Sequence, residues 1–396
     1  MAPSDRTTVA VCGGGLIGTS LALALGGQRH QVRVCDADAD VRTALRSVLD
    51  ASDAAAHVTV HEDWSTAARD ADVVIAAVPP AAIPGVLAAA ADVAAPDALL
   101  TDVAGVKHDV VERVMSALGA ALGAAPGAVP GEGGSGARFV GGHPMAGSER
   151  SGPSAGDAAL FSGATWVLTP TGSTSDTTLA RAGELARGLG ARVLVLSPSE
   201  HDTIVGLVSH LPQLVSSVLA DVAADAVGAD RDAVMAVAGP GFRDTTRIAA
   251  SDAELWLDIL DGNRDAVSVA LDAFRARLDV VADALGQRDA AALGDVLRRA
   301  SAARRRLVPK SLDAPTRDLV IPLRDRPGEI ARIAGALGSA GINIEDLAMR
   351  HASAADRGSL LLRVRATDAE RALTVLGQAD VDGVVVERDP LAADDR

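Results

Sequence analysis

Short, unbroken apolar runs recur between glycines and prolines through the first 197 positions, at residues 8–12, 31–35, 73–78, 99–103, 165–169 and 192–196. Runs of that length and composition are the pattern of strands buried on both faces of a parallel sheet. Between them lie helical stretches: one follows the glycines at 13–18 and runs through Leu25, one runs to about Leu118, and one starts near Thr178. From Pro198 to Arg306 the apolar period becomes helical, with Pro212 as its main interruption, and strand signals are absent. A proline-flanked linker at 308–316 leads into strand, helix, strand, strand, helix and strand at 318–323, 329–339, 342–349, 359–365, 368–377 and 383–387, a βαββαβ order of ferredoxin-like type. The chain is therefore read as α/β: a doubly wound domain over 7–197, an all-α domain over 198–307, and a ferredoxin-like unit over 317–390. A segment of Gly, Ala and Pro at about 119–137 is too poor in apolar side chains to order itself and reads as a mobile surface insertion in the first domain.

With 396 residues, two or three domains are expected, and a hydrophobic content of 48% is ample for their cores. Aromatic residues are 2% of the chain and Tyr is absent, so those cores must be built from Ala, Val, Leu and Ile. A net charge of −15 argues against nucleic acid or an anionic membrane surface as partner, since both require a basic face, but leaves room for a local site for a small anion. Cys12 and Cys35, each inside an apolar run, suit buried thiols better than a disulfide, and without a cluster of histidines they make no metal site. The N-terminus carries no secretory pattern, and Pro79, Pro80, Pro84 and Pro96 interrupt the apolar stretch at 73–100, which argues against a membrane span there. A soluble cytoplasmic protein is expected.

Gly13, Gly15 and Gly18 follow the first strand in GxGxxG spacing. The first glycine makes the tight turn, the second admits a pyrophosphate, and the third lets helix and strand pack closely. The helix that opens at Leu16 and Ile17 points unpaired N–H groups at the phosphates. The second strand ends at Asp36, the expected distance for an acid on the ribose hydroxyls, where it would repel a 2′-phosphate. NAD is thus expected rather than NADP. Ligands of such sheets lie beyond the carboxyl ends of the strands, so the loops at Val78, at Gly105 and after residue 142 should open on the same side.

The third of these loops carries the candidate chemistry. His143 precedes Pro144, which holds it in an extended or turn conformation, and a neutral imidazole accepts a proton near pH 7. In the helical region Arg247 stands among small and apolar residues, as a guanidinium that binds an anion would, or as one paired with Asp244 or Asp252. Arg304, Arg305 and Arg306 read as the end of a helix.

Taken together, residues 13–18, 101–107, 143–152, His201-Asp202, 209–212 and 244–256 resemble, in type, order and approximate spacing, the TyrA family of prephenate and arogenate dehydrogenases, followed by an ACT domain. The resemblance covers nearly the whole chain. It implies hydride transfer to NAD(P)+ from a cyclohexadienol that also loses CO2 and becomes aromatic, with no metal. It implies His143 as the base on the ring hydroxyl and Arg247, from the same or the other subunit, as the cation on the ring carboxylate. It further implies Ser148, Glu149, Ser209 and Gln213 around the substrate, Trp256 as a packing wall, and a homodimer built on the helical domain. In the ACT unit, Asp325, Gly328 and Asn343 would line an amino-acid effector site, with tyrosine the natural candidate. Two positions depart from the family pattern. Gly105 stands where the family commonly has a Ser that orients the catalytic His, which leaves His143 in need of another partner, such as a water. Gln213 stands where a His is common, and Gln keeps hydrogen-bonding capacity without charge. The leading reading is oxidative decarboxylation of prephenate to 4-hydroxyphenylpyruvate; the alternatives are an arogenate dehydrogenase and, in a different class, a non-catalytic nucleotide-binding sensor of amino acids.

Overall fold

A computed structural model of the chain describes residues 7–121, 135–147, 150–226, 237–307, 316–324, 326, 328–351, 357–379, 381 and 383–387. The expected insertion at 119–137 lies for the most part outside these residues, as do Ser148, Glu149 and Asp325. The chain divides into two compact units, residues 1–278 and 279–396.

The first unit is organised around an eight-stranded sheet. Its strands are β1 (Thr8–Cys12), β2 (Gln31–Cys35), β3 (Val58–His61), β4 (Val73–Ala76), β5 (Leu99–Asp102), β6 (Phe139–Pro144), β7 (Thr165–Thr169) and β8 (Arg192–Val195). Their order is β3-β2-β1-β4-β5-β6-β7-β8. Every pair is parallel except β6 with β7. The six runs read from sequence are all strands, but β8, expected to be buried, is an edge strand and mostly exposed, and β3 was not expected. With Thr59 exposed and Val60 and His61 only half-buried, β3 lacks the continuous apolar signature of the central strands. Strand order reverses between β1 and β4, the switch point at which a doubly wound sheet opens a crevice.

Two apolar layers cover the sheet. On one face Val9, Val11, Val32, Val34 and Ile75 pack with Leu21 and Leu25 of helix α1 (Leu16–Gly27) and with Leu45 and Leu49 of α2 (Ala39–Asp50). On the other, Ala10, Val74, Ala76 and Leu100 pack with residues of α3 (Trp64–Ala68), α4 (Ile83–Ala91) and α5 (His108–Ala121). Few aromatics take part, as the composition requires: Phe139, Phe161 and Trp166 are buried, and Trp64 packs partly buried against the second layer. Helix α6 (Asp176–Gly188), capped by Ser175, returns the chain to β8.

Helix α7 (Pro198–Val205) opens with a reciprocal cap: Ser197 Oγ accepts the Glu200 N–H, and the Glu200 carboxylate accepts the Ser197 N–H, with Pro198 in the first turn. It continues through one π-helical turn, Gly206–His210, into α8 (Leu211–Ala226). Sequence analysis marks Pro212 as an interruption of the helical pattern, but the chain stays helical across it. Proline is tolerated in the first turn of a new segment, and the wider π turn just before it absorbs the misfit. This run, residues 198–225, is long and apolar enough to cross a membrane by length and composition. His201, Asp202, His210 and Gln213 are nevertheless buried on it, and the first three are hydrogen-bonded to other segments of this unit. Helices Pro240–Thr246 and Ala253–Gly262 follow, joined by a short 3-10 turn, Arg247–Ala250, that packs on α8.

In the second unit, strands β9 (Thr316–Arg324), β10 (Asp346–His351), β11 (Arg357–Arg365) and β12 (Val385–Glu387) form an antiparallel sheet of order β10-β11-β9-β12. Helices Glu329–Ser339 and Ala369–Gln378 complete a βαββαβ order. Its core is Leu319, Ile321, Ile333, Leu337, Leu360, Leu362 and Leu376 with their neighbours. Asp318 of β9 holds Arg363 of β11 through two hydrogen bonds of 2.7 and 2.8 Å. The strand expected at 342–349 begins only at Asp346 and leaves Asn343 exposed before it.

Candidate active site

The glycine turn after β1 fits a dinucleotide residue by residue. Gly13 sits at φ +112°, and a Cβ there would lie 2.1 Å from the carbonyl oxygen of Ala77, beside Val78 at the end of β4. No side chain fits that approach. A Cβ on Gly18 would lie 1.8 Å from the Gly13 carbonyl oxygen, so α1 rests directly on the turn. Gly15, the N-cap of α1, has no neighbour within 4 Å of where a Cβ would stand, and this is the space a pyrophosphate needs. The backbone N–H of Gly14 donates to Asp36 Oδ2 at 2.8 Å, which ties the acid at the end of β2 to the turn. Leu16 and Ile17 open α1 half-buried. Cys12 and Cys35, paired across β1 and β2, are free and buried.

The second half of the site is built where β5 and β6 part. Their ladder pairs Leu100 with Phe139 and Thr101 with Val140. Beyond it a buried ion pair takes over: Gly142 N–H donates to Asp102 Oδ1 at 2.8 Å, and Lys107 Nζ donates to the Gly142 carbonyl at 2.8 Å and to both Asp102 oxygens at 2.8 and 2.6 Å. Both charged side chains are wholly buried. Burial pulls the Lys107 ammonium below its ordinary pKa, and the neighbouring Asp102 carboxylate opposes that shift. Gly142 admits no side chain, since a Cβ would meet the Asp102 carbonyl oxygen at 2.6 Å. The residue before His143 is thus held through both its backbone polar groups.

His143 lies within β6, not past its end, and is half-buried. Its Nδ1 is 2.8 Å from Nε2 of His201 in the first turns of α7, with the two rings nearly edge to face. His201 Nδ1 is 2.7 Å from Asp202 Oδ1. Asp202 also accepts the N–H groups of Lys107 and His108, both at 2.8 Å, at the start of α5. Its own carbonyl accepts from Asn263, whose amide also donates to His210 Nδ1 at 3.1 Å. The His210 ring stands edge-on to Trp256 at 5.8 Å. Desolvation, with the neighbouring His201, Lys107 and His210, pulls the His143 pKa well below its ordinary value, and burial brings His210 down to about 4. His143 is therefore neutral at physiological pH and able to accept a proton.

Gly105 faces this imidazole: a Cβ on it would stand 3.8 Å from His143 Nε2. A protein side chain, His201, lies on the other ring nitrogen, Nδ1. Ser209 lies in the π turn, and Gln213 is buried one turn beyond His210. Arg247 is exposed at the start of the 3-10 turn that packs on α8. Gly328, at φ +88°, is the left-handed N-cap of helix Glu329–Ser339 in the second unit. Sequence reasoning gave no role to Lys107, Asp102, His201, Asp202 or Asn263. Adjacency of His201 and Asp202 just behind a capping box was a usable signal; the Asp102–Lys107 contact with Gly142 had none.

Comparison with known proteins bears directly on this arrangement. Residues 197–299 match the family model of the prephenate dehydrogenase dimerization domain, 128–195 that of the prephenate dehydrogenase nucleotide-binding domain, and 8–105 that of an NADP oxidoreductase, coenzyme F420-dependent. Cyclohexadienyl dehydrogenase of Zymomonas mobilis is 31% identical over 71% of this chain and 89% of its own length. The chain belongs to the prephenate dehydrogenase family. Another relative, prephenate dehydrogenase of Lactococcus lactis, is 29% identical over 83% of this chain and 86% of its own. Among solved structures, prephenate dehydrogenase from Aquifex aeolicus, in complex with hydroxyphenyl propionate and NAD+, superposes with a TM-score of 0.64 at 27% identity and covers 78% of this chain and 100% of that one. Arogenate dehydrogenase from Synechocystis does so with a TM-score of 0.60 at 27% identity, over 76% of this chain and 99% of that one.

Proposed function

We propose that this chain is an NAD-dependent dehydrogenase that converts prephenate to 4-hydroxyphenylpyruvate with loss of CO2. The observation that carries the reading is the neutral imidazole of His143, held at the carboxyl end of β6 on the side of the sheet where the Gly13–Gly18 turn opens. NAD+ supplies the hydride acceptor, held by Gly13, Gly15 and Gly18, by the first turn of α1 at Leu16 and Ile17, and by Asp36, with Val78 and Gly105 beside it. His143 takes the hydroxyl proton as the carbon–hydrogen bond breaks, so that the oxygen's electron pair forms the carbonyl. Loss of the ring carboxylate as CO2 then returns electrons through the ring to that oxygen, which takes the proton back and leaves a phenol. Arg247 binds the ring carboxylate, and Ser148, Glu149, Ser209 and Gln213 surround the rest of the substrate.

A homodimer belongs to the same reading. Ile204, Leu207, Val208, Val218, Val222 and Leu257 are exposed on the helical part of the first unit, and the matching family model is that of a dimerization domain. The domain limits 7–197, 198–307 and 317–390 and a cytoplasmic location complete it. The βαββαβ order and antiparallel sheet of residues 316–387 support an ACT unit that binds an amino-acid effector near Asp325, Gly328 and Asn343. The experiment is the appearance of NADH with prephenate or arogenate, each paired with NAD+ or NADP+ and each with and without tyrosine. Turnover of prephenate with NAD+ is expected; no NADH from either substrate would leave the sensor reading. Arg247→Ala is expected to raise KM about 10- to 100-fold, the worth of a hydrogen bond between charged groups. An unchanged KM would make Arg247 structural.

A further inference from the structure

We propose that His201 and Asp202 set the tautomer of His143, leaving Nε2 as the proton acceptor. The proposal rests on His143 being the base. Asp202, as a carboxylate, has only acceptors, and it already receives two backbone N–H groups at the start of α5. Across the 2.7 Å contact, His201 Nδ1 must therefore carry the proton. With that one proton on His201, its Nε2 offers a lone pair, and across the 2.8 Å contact His143 donates from Nδ1. His143 Nε2 is left with its lone pair, and this is the nitrogen that a Cβ on Gly105 would approach to 3.8 Å. With one proton on each ring, both protons are positioned by one carboxylate, itself held by two main-chain hydrogen bonds.

The same chain acts when the substrate proton arrives. The hydroxyl O–H bond breaks, an N–H bond forms at Nε2, and the resulting imidazolium keeps its Nδ1–H on His201, with the Asp202 charge one ring away. His143 is also faced by His201, the Lys107 ammonium and His210, which disfavour that charge, while Asp102 is occupied by Lys107. Asp202, acting through His201, is thus the anion that offsets them. His201 and Asp202 are positioning residues, since neither touches the reacting atoms in this account.

Two variants of the full-length enzyme test it, Asp202→Asn and His201→Phe. The first keeps the shape of the side chain and removes its charge; the second keeps a ring and removes both hydrogen bonds. For each, kcat with prephenate and NAD+ is expected to fall about 10- to 100-fold, with KM within about threefold of wild type. In Asp202→Asn the acidic limb of kcat should move to lower pH, because losing the anion disfavours the imidazolium. A purely structural role would not move that limb. Nitrogen-15 NMR of labelled wild type should find His143 protonated at Nδ1 and bare at Nε2, and His201→Phe should give a mixture of tautomers. If Asp202→Asn proves unstable through the loss of its contacts to α5, His201→Phe and the wild-type spectrum still decide. Wild-type kcat and pH profile in a folded variant, or a proton on His143 Nε2 in the wild type, would overturn the proposal and leave the dehydrogenase reading intact. A wild type inactive with prephenate would instead overturn that reading.

Discussion

The glycine turn and the histidine site differ in how far apart their parts lie along the chain. Gly13, Gly15, Gly18 and Asp36 come from 24 consecutive residues, and each meets a requirement visible locally: a positive φ, an open space, a close contact and a carboxylate at a strand end. The histidine site draws on Asp102, Lys107, His143, His201, Asp202, His210 and Asn263, contributed by β5, β6, α7 and the turns beside them. Backbone geometry makes the turn specific, so it tolerates little change at any one glycine. A network of buried polar groups makes the histidine site specific, and there the cost of change lies in whatever is left unpaired.

The strongest way to break this comparison is to remove the base. His143→Ala is expected to lower kcat by about 10²- to 10⁴-fold with little change in KM, read by steady-state kinetics. A near-normal rate would take His143 out of the mechanism and reduce the network to packing. Next comes the buried ion pair: Lys107→Met strands Asp102 without its cation and should cost about 3–5 kcal/mol, measured by denaturant unfolding. If stability were unchanged, the pair would not be what holds Gly142 in place.

The two kinds of glycine sharpen the contrast within the turn itself. Gly18→Ala drives a Cβ into the Gly13 carbonyl and should lower Tm, whereas Gly15→Ala projects into open space and should leave Tm alone while weakening NAD+ binding at least about tenfold. Equal effects on Tm would show that the openness at Gly15 has no functional meaning. The smallest effect expected is in pH dependence. Because the His143 pKa is depressed, kcat/KM should stay flat as pH is lowered through 6.5 and fall only beyond it. The folded chain also holds His143 and His210 neutral, whereas the unfolded chain protonates them near pH 6.5. Between that pH and about 4, the value for His210, the unfolded state binds more protons, so Tm should decline as pH falls through this window. A Tm independent of pH across it would mean these imidazoles are not desolvated.

How much of this was legible beforehand follows the same division. Six strands, the glycine turn, Asp36, the helical region and the βαββαβ order of residues 316–387 are all legible in the pattern, because each is written in a short stretch of chain. Strand β3 escaped, since an edge strand half exposed to solvent lacks the apolar run that marks its neighbours. Pro212 was read as a break because the π turn that accommodates it leaves no mark in composition. His143 stands out as the candidate base from its own neighbourhood, yet nothing local connects it to His201, 58 positions away.

The sequence alone determined the doubly wound sheet, the place where a dinucleotide can lie and the identity of one candidate base, because periodicity, glycine spacing and a proline after the histidine act over a few residues. Only the tertiary structure decided what surrounds that base. Parallel strands joined by long crossovers bring segments about a hundred residues apart into contact; there the Asp102–Lys107 pair and the His143–His201–Asp202 chain fix its position, while burial and the neighbouring His201 and Lys107 lower its pKa.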